Sequence, residues 1–90
     1  MDTALKKTLK AKAHNLKPVV LLGAKGLTTA VIEESKLALF AHELIKIKMN
    51  GVEKDVKKLI ANDLCEQLEA ELVQLIGNTV ILYKMRDKIN

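Results

Sequence analysis

A proline, four consecutive apolar residues and a glycine-bracketed turn follow one another at positions 18–26. Pro18 ends any preceding helix, because it pushes the residue before it toward an extended conformation. The apolar run at residues 19–22 is typical of a strand that is buried on both faces. The turn at residues 23–26 breaks that strand, and Thr28 is well placed to cap a helix reaching about residue 41. This order predicts a strand that leads directly into a helix.

Periodicity and turn signals define the other elements. A first helix is predicted over residues 3–15 with Thr3 as its cap, and a third over residues 53–68. Residues 43–49 alternate, so that Ile45, Ile47 and Met49 share one face of a strand. Two further strands, over residues 72–76 and 79–85, are joined at Gly77-Asn78, a pair that favours a tight hairpin.

These elements predict one domain over residues 1–90 with the order α-β-α-β-α-β-β. The unit from the first strand to the second is expected to be a right-handed parallel crossover. The last two strands pair antiparallel. The predicted fold class is α+β, an α/β two-layer sandwich with a mixed four-stranded sheet.

Composition excludes several classes of protein. The chain is 49% hydrophobic and 29% charged, which is ordinary for a globular domain. Its single cysteine excludes a disulfide framework and a multi-cysteine zinc site, and no apolar run approaches the roughly 20 residues of a membrane helix. Paired carboxylates, a phosphate-transfer motif and a nucleophile–base pair are not evident. We therefore expect a cytoplasmic, monomeric, non-catalytic protein with no metal or other cofactor, no membrane contact and no small-molecule substrate.

Charge is distributed unevenly along the chain. Residues 1–26 contain six lysines and one acid, a net charge of +5, whereas the remainder has a net charge of −1. A basic segment that ends in a glycine-containing turn favours a polyanionic partner, although a lysine-coated helix kept soluble by its charge explains the same pattern. Aromatic residues make up only 2% of the chain. Base stacking on aromatic platforms is therefore disfavoured, and contact to a phosphate backbone is favoured.

The turn Gly23-Ala24-Lys25-Gly26 has the composition of an anion site. It precedes a helix N-terminus, where unpaired N–H groups and the helix dipole favour negative charge, and its glycines allow a phosphate to approach closely. GxxG turns of this kind clamp nucleic-acid backbones in KH modules. Many strand-to-helix turns nevertheless contain two glycines for geometry alone. The spacing matches neither a P-loop nor GxGxxG.

Several segments together resemble the CRM domain, the RNA-binding domain of chloroplast splicing factors and of bacterial YhbY-like ribosome-associated proteins. The similar segments are Leu9-Lys10-Ala11-Lys12-Ala13-His14, Leu16-Lys17-Pro18-Val19-Val20, Gly23-Ala24-Lys25-Gly26-Leu27-Thr28, His42-Glu43-Leu44-Ile45-Lys46-Ile47-Lys48, Val73-Gln74-Leu75-Ile76-Gly77 and Leu82-Tyr83-Lys84.

The resemblance implies a fold similar to the C-terminal domain of a translation initiation factor, with the GxxG turn projecting from it. It also implies binding to ribosomal RNA in precursors of the large ribosomal subunit. Two positions depart from the family pattern. Lys84 stands where arginine is common, and Ala24 occupies a position that is often polar or basic.

The candidate RNA-binding residues surround the turn or lie in the family-like segments. Lys46 and Lys48 share a strand face and extend the basic surface if that face is open; otherwise their ammonium groups pass neighbouring side chains to reach solvent. His14 is either a phosphate donor or a residue that ends the first helix. The full predicted set is Lys12, His14, Lys17, Gly23, Ala24, Lys25, Gly26, Lys46, Lys48, Lys84 and Arg86.

A second hypothesis assigns the chain to protein interaction. Leu37 and Phe40 lie away from the apolar face of the second helix, which we predict to consist of Val31, Ile32, Ser35, Ala38, Leu39 and His42. They could dock on a ribosomal protein, with the basic charge only steering the encounter. The interpretation we favour is that the first helix or the C-terminus covers them.

Overall fold

Three helices and four strands make up residues 1–85, the part of the chain that the computed structural model describes. The order α-β-α-β-α-β-β and the α+β class are confirmed. The elements are α1 (Thr3–Ala13), β1 (Val20–Leu22), α2 (Thr29–His42), β2 (Leu44–Met49), α3 (Lys54–Leu68), β3 (Glu71–Ile76) and β4 (Thr79–Tyr83).

The four strands form one mixed sheet in the order β1-β2-β4-β3. β1 pairs parallel to β2, whereas β4 runs antiparallel to both β2 and β3. The hairpin between β3 and β4 turns at Gly77, whose φ of +56° lies in the left-handed region that favours glycine. The sheet therefore has β1 and β3 as its two edges.

Side-chain caps explain where two helices begin. Thr28 caps α2 as predicted, because its hydroxyl oxygen accepts the N–H of Val31 at 3.2 Å. The predicted cap of α1 was wrong by one residue. Asp2, not Thr3, accepts the N–H of Leu5 at 3.0 Å. A carboxylate one position earlier satisfies an unpaired amide and also complements the positive end of the helix dipole.

The main core lies between the sheet and the pair α2 and α3. The predicted face of β2 is confirmed, because Ile45, Ile47 and Met49 are all buried there. Residues of both helices and of β1 and β4 complete this cluster: Val20, Leu22, Ile32, Leu39, Ala61, Leu64, Leu68, Val80 and Leu82.

The opposite face of the sheet is only partly covered. α1 packs there in a second, smaller cluster that consists of Leu9, Ala13, Val73 and Ile81. The predicted layer of helices on the sheet is thus formed by α2 and α3, and α1 adds a partial third layer. This layer stops short of β1.

The prediction that the first strand is buried on both faces was wrong. Val20 and Leu22 are buried, but Leu21 is 63% exposed. An apolar run predicts an extended segment but does not show what covers it. Here β1 is an edge strand, and α1 packs further along the sheet. Strand register aligns Leu21 with Lys48, Thr79 and Ile76 across the sheet, and we call these four residues the open row.

Two helices expose large apolar residues. Leu37 and Phe40 on α2 are 72% and 69% exposed, so the preferred interpretation that they are covered was wrong. His42, placed on the apolar face from periodicity, is also exposed at the end of α2. On α3, the side chains of Ala61, Leu64 and Leu68 are buried in the core, and Leu59 is exposed to solvent.

Candidate nucleic-acid interface

The turn between β1 and α2 is open to solvent. The Gly26 N–H donates to the Gly23 carbonyl at 2.9 Å and closes the turn. Gly26 has a φ of +75°, which explains why glycine is needed at that position. The amides of Ala24 and Lys25 have no acceptor among residues 1–85. The turn therefore presents unpaired donors immediately before the N-terminus of α2.

Four predicted lysines have ammonium groups that meet no partner among residues 1–85. Lys12 on α1, Lys17 before β1, Lys25 in the turn and Lys48 on β2 are all exposed. Within the described part of the chain, none of them makes an ion pair or a side-chain hydrogen bond. The described ion pairs lie elsewhere, between the N-terminal amine and Glu71 and between Lys36 and Glu33. These four cations are therefore available to an external anion.

Two other predicted lysines have their ammonium groups on backbone carbonyls. Lys46 Nζ donates to the Leu16 carbonyl at 3.0 Å and lies 3.5 Å from that of His14, which ties the segment after α1 to β2. Lys84 Nζ donates to the Leu68 carbonyl at 3.0 Å, at the C-terminus of α3. A cation there satisfies an unpaired carbonyl and complements the helix dipole. An RNA phosphate would have to compete with these bonds.

The remaining predicted residues fall into three places. The His14 ring is exposed, and the residue is the C-cap of α1, its N–H donating to the Lys10 carbonyl. Gly23 and Ala24 are exposed in the turn described above. Arg86 lies outside the described residues.

A groove of about 560 Å³ lies beside these cations. It is bounded by α1, by the segment that leads into β1 and by the corner between α2 and β2. Lys12 and Lys17 belong to its lining, and so does Tyr83 from β4. The other lining residues are Leu5, Thr8, Leu9, Leu16, Val19, His42, Glu43, Leu44 and Ile45.

Sequence reasoning missed the apolar part of this groove. Its residues come from separate segments that meet only when α1 packs across the sheet, so no local pattern could identify it. The one available signal was Lys12, which helical periodicity places on the same side of α1 as Leu5 and Leu9. The open row was missed for a related reason, because it depends on the register of all four strands.

The described residues do not assemble other sites of known chemistry. No group of three or more His, Cys, Asp or Glu residues among positions 1–85 could hold a metal ion. Over the same positions, no helix has the length and apolar character to cross a bilayer. Burial raises the pKa of the Cys65 thiol above its ordinary value, which opposes formation of the nucleophilic thiolate.

Comparisons with known proteins agree on one family. A model of the CRS1 / YhbY (CRM) domain matches residues 1–84. A Haemophilus influenzae protein named "RNA-binding protein" is 44% identical over 84 residues, which cover 93% of this chain and 85% of that protein. A Bacillus subtilis protein named "Probable RNA-binding protein YqeI" is 40% identical over 80 residues, covering 88% of this chain and 82% of the relative.

A solved structure supports the fold as well. The solution structure of a hypothetical protein from Staphylococcus aureus superposes with a TM-score of 0.86 at 30% sequence identity. The superposition covers 100% of this chain and 94% of that protein. The topology of the sheet and helices described above is therefore that of a known fold.

Proposed function

Because the chain belongs to the CRS1 / YhbY (CRM) domain family, we propose that it is a non-catalytic RNA-binding protein that acts in assembly of the large ribosomal subunit. It holds the sugar-phosphate chain of ribosomal RNA at the GxxG turn, residues 23–26, and at the surrounding lysines. Relatives that align with nearly the full length of the chain are named RNA-binding or probable RNA-binding proteins.

The observation that carries the proposal is the coincidence of open amides and unpaired cations on one side of the molecule. The amides of Ala24 and Lys25 meet no acceptor among the described residues, and the Lys25 ammonium is exposed beside them. Lys48 lies one strand away, paired in register with Leu21 of β1. A phosphate at the turn replaces water on these donors without breaking a protein contact.

The lysines therefore divide into two groups with different expected roles. Lys12, Lys17, Lys25 and Lys48 contact phosphates, and His14 donates at the same surface. Lys46 and Lys84 contribute mainly by holding the segment before β1 and the end of α3, because contact with RNA would cost each of them an existing bond. Arg86 remains a proposed contact.

A pair of matched double variants tests the turn. Gly23 accepts a side chain without a positive φ or a neighbour within 4 Å, so Gly23→Asp with Lys25→Glu lowers the charge of the turn by three units without straining it. Lys58→Glu with Asn62→Asp makes the same charge change at exposed positions of α3. Binding of single-stranded RNA at low salt is measured for both by fluorescence anisotropy.

The turn variant is expected to lose at least about tenfold in affinity, and the α3 variant less than about twofold. The salt dependence separates local contact from overall charge. Each phosphate contact that is lost reduces the slope of log affinity against log salt by about 0.7 for a single strand. Equal losses of RNA affinity in the two variants would mean that the turn acts only through the overall charge of the protein, which would contradict the proposal.

The role in subunit assembly has its own test. A tagged protein is expected to sediment through a sucrose gradient with precursors of the large subunit and to dissociate at high salt. The turn variant is expected to stay at the top of the gradient. Migration of the wild-type protein only as free protein in the cytoplasmic extract would remove the ribosomal assignment and leave RNA binding intact.

The proposed monomeric state is tested separately, by sedimentation of the purified protein.

The exposed pair Leu37 and Phe40 favours one alternative function. Two large apolar side chains one helical turn apart, 72% and 69% exposed, match the way an α-helix presents anchors to a protein partner. Under this alternative the chain docks on a ribosomal protein, and the lysines only accelerate the encounter. Association with ribosomal particles that survives nuclease treatment and is lost in Phe40→Ser would support it.

A further inference from the structure

We propose that the groove between α1 and the α2–β2 corner holds one unpaired nucleobase of the bound RNA. The inference rests on the proposed function and adds a base-binding position to a surface so far described only by its contacts to phosphates. The scarcity of aromatic residues argues against stacking platforms. A groove with aliphatic walls retains a base by burying its faces instead.

The apolar walls of the groove are incompletely buried in the protein alone. Leu5 and Leu16 are each 38% exposed, and Val19 is 44% exposed, although all three line the same space. At about 560 Å³ the groove is larger than a single nucleobase needs and open enough to admit one. Burying these walls against the flat faces of a base removes apolar surface from water on both sides.

Charge at the rim selects an anionic occupant. Lys12 lines the groove from the last turn of α1 and Lys17 lines it from the segment that joins α1 to β1, and neither ammonium has a partner among residues 1–85. The outer surface of α1 adds Lys6, Lys7 and Lys10. A base inserted between Lys12 and Lys17 leaves its flanking phosphates within reach of both cations, whereas a purely apolar peptide gains nothing from them.

The groove is also continuous with the GxxG turn. Val19 lines the groove, and four residues later the chain reaches Gly23, so β1 spans about 13 Å between the two. Leu21 points to the same side as Val19 and is exposed between them, next to Lys48 in register. A few linked nucleotides can therefore lie along β1, with one base in the groove and a phosphate at the turn.

Tyr83 provides a direct readout, because it lines the groove and is the only tyrosine of the chain. Incorporation of 3-fluorotyrosine into the full chain gives one fluorine resonance. Two single-stranded oligomers of equal phosphate number are compared, one with ordinary bases and one with stable abasic residues. We expect the fluorine resonance to move on addition of the first oligomer only.

Two tryptophan variants test occupancy of the groove. Thr8→Trp places a large ring into the groove from its α1 wall, and Thr3→Trp makes the same change on the opposite side of that helix. Thr8→Trp is expected to weaken binding of the base-containing oligomer about tenfold, the size of one lost base contact, and to leave the abasic oligomer unaffected. Thr3→Trp is expected to leave both affinities within about twofold.

The outcomes separate this inference from the proposed function. Equal binding of both oligomers with an unmoved fluorine resonance would overturn the base site. The turn variant would still reduce both affinities in that case, so phosphate binding would stand. Failure of the wild-type protein to bind either oligomer at low salt would overturn both.

Discussion

The two faces of the sheet are built differently. On one face, α2 and α3 cover all four strands' inward side chains and enclose a cluster of twelve buried residues. On the other, α1 encloses only four buried residues and leaves the open row uncovered. The free lysines Lys12 and Lys48 belong to this second face. The larger buried core therefore lies on one side of the sheet, and the proposed binding surface lies on the other.

The difference follows from the placement of the helices and from the composition of the strands. β2 alternates Ile45, Ile47 and Met49 with Leu44, Lys46 and Lys48, so its second face already contains charges that cannot be buried. α1 can cover Leu44 at one end of that face but not Lys48 at the other. A second full-length helix there would bury unpaired ammonium groups at a large energetic cost.

Core truncations on the two faces should show the largest difference. Leu64→Ala removes a fully buried side chain from the face covered by two helices and is expected to lower the free energy of unfolding by about 3–4 kcal/mol. Leu9→Ala, in the smaller cluster under α1, is expected to cost about 2 kcal/mol. Urea unfolding followed by circular dichroism measures both. An equal or reversed order would break the comparison.

Replacing a lysine that binds a backbone carbonyl should destabilise the protein more than replacing a lysine that binds no protein group. Lys84→Met removes the donor to the Leu68 carbonyl and is expected to cost about 1–2 kcal/mol of unfolding free energy. Lys25→Met is expected to change it by less than about 0.5 kcal/mol while weakening RNA binding. If Lys84→Met reduced RNA affinity as strongly as Lys25→Met, the division of the lysines by their existing bonds would be incorrect.

The exposed apolar pair on α2 should matter little for folding. Phe40→Ser changes a side chain that is 69% exposed, so the unfolding free energy is expected to change by less than about 0.5 kcal/mol. Leu39→Ser, the adjacent buried position, serves as the contrast and is expected to unfold the protein or cost several kcal/mol. Thermal melts compare the two. A large loss in Phe40→Ser would contradict the exposure of this side chain.

The smallest effect concerns Cys65, which packs against the covered face. Burial raises the pKa of its thiol, so the folded protein holds the proton to higher pH than the unfolded chain does. The resulting stabilisation is complete below the unfolded pKa and is lost as pH rises through the folded pKa. Alkylation by iodoacetamide at pH 8 is expected to be slower than that of free cysteine and to become equal in urea. Equal alkylation rates for the native protein and free cysteine would indicate that solvent reaches the Cys65 thiol.

Local signals predicted most of the fold. Thr28 as a cap, the hairpin at Gly77-Asn78 and the alternation of Ile45, Ile47 and Met49 each depend on chemistry within a few residues, and the structure agrees with all three. The predicted burial of both faces of β1 failed, because burial depends on what packs against a strand. No residue near Leu21 indicates that α1 lies elsewhere.

The candidate site was predicted only in part for the same reason. The turn at residues 23–26 and its exposed Lys25 are contiguous in sequence and could be found there. The hydrogen bonds of Lys46 to Leu16 and of Lys84 to Leu68 join positions 30 and 16 residues apart. The sequence therefore does not distinguish these two lysines from those whose ammonium groups meet no partner among residues 1–85. The groove combines α1 with β4, from opposite ends of the chain.

The small cluster beneath α1 also has a consequence for synthesis. Leu9 and Ala13 emerge from the translating ribosome well before their partners Val73 and Ile81, which are made sixty or more residues later. β4, which lies between β2 and β3, completes the sheet only at Tyr83. α1 therefore docks only after β3 and β4 have been made, and its lysine-rich surface stays unanchored until then.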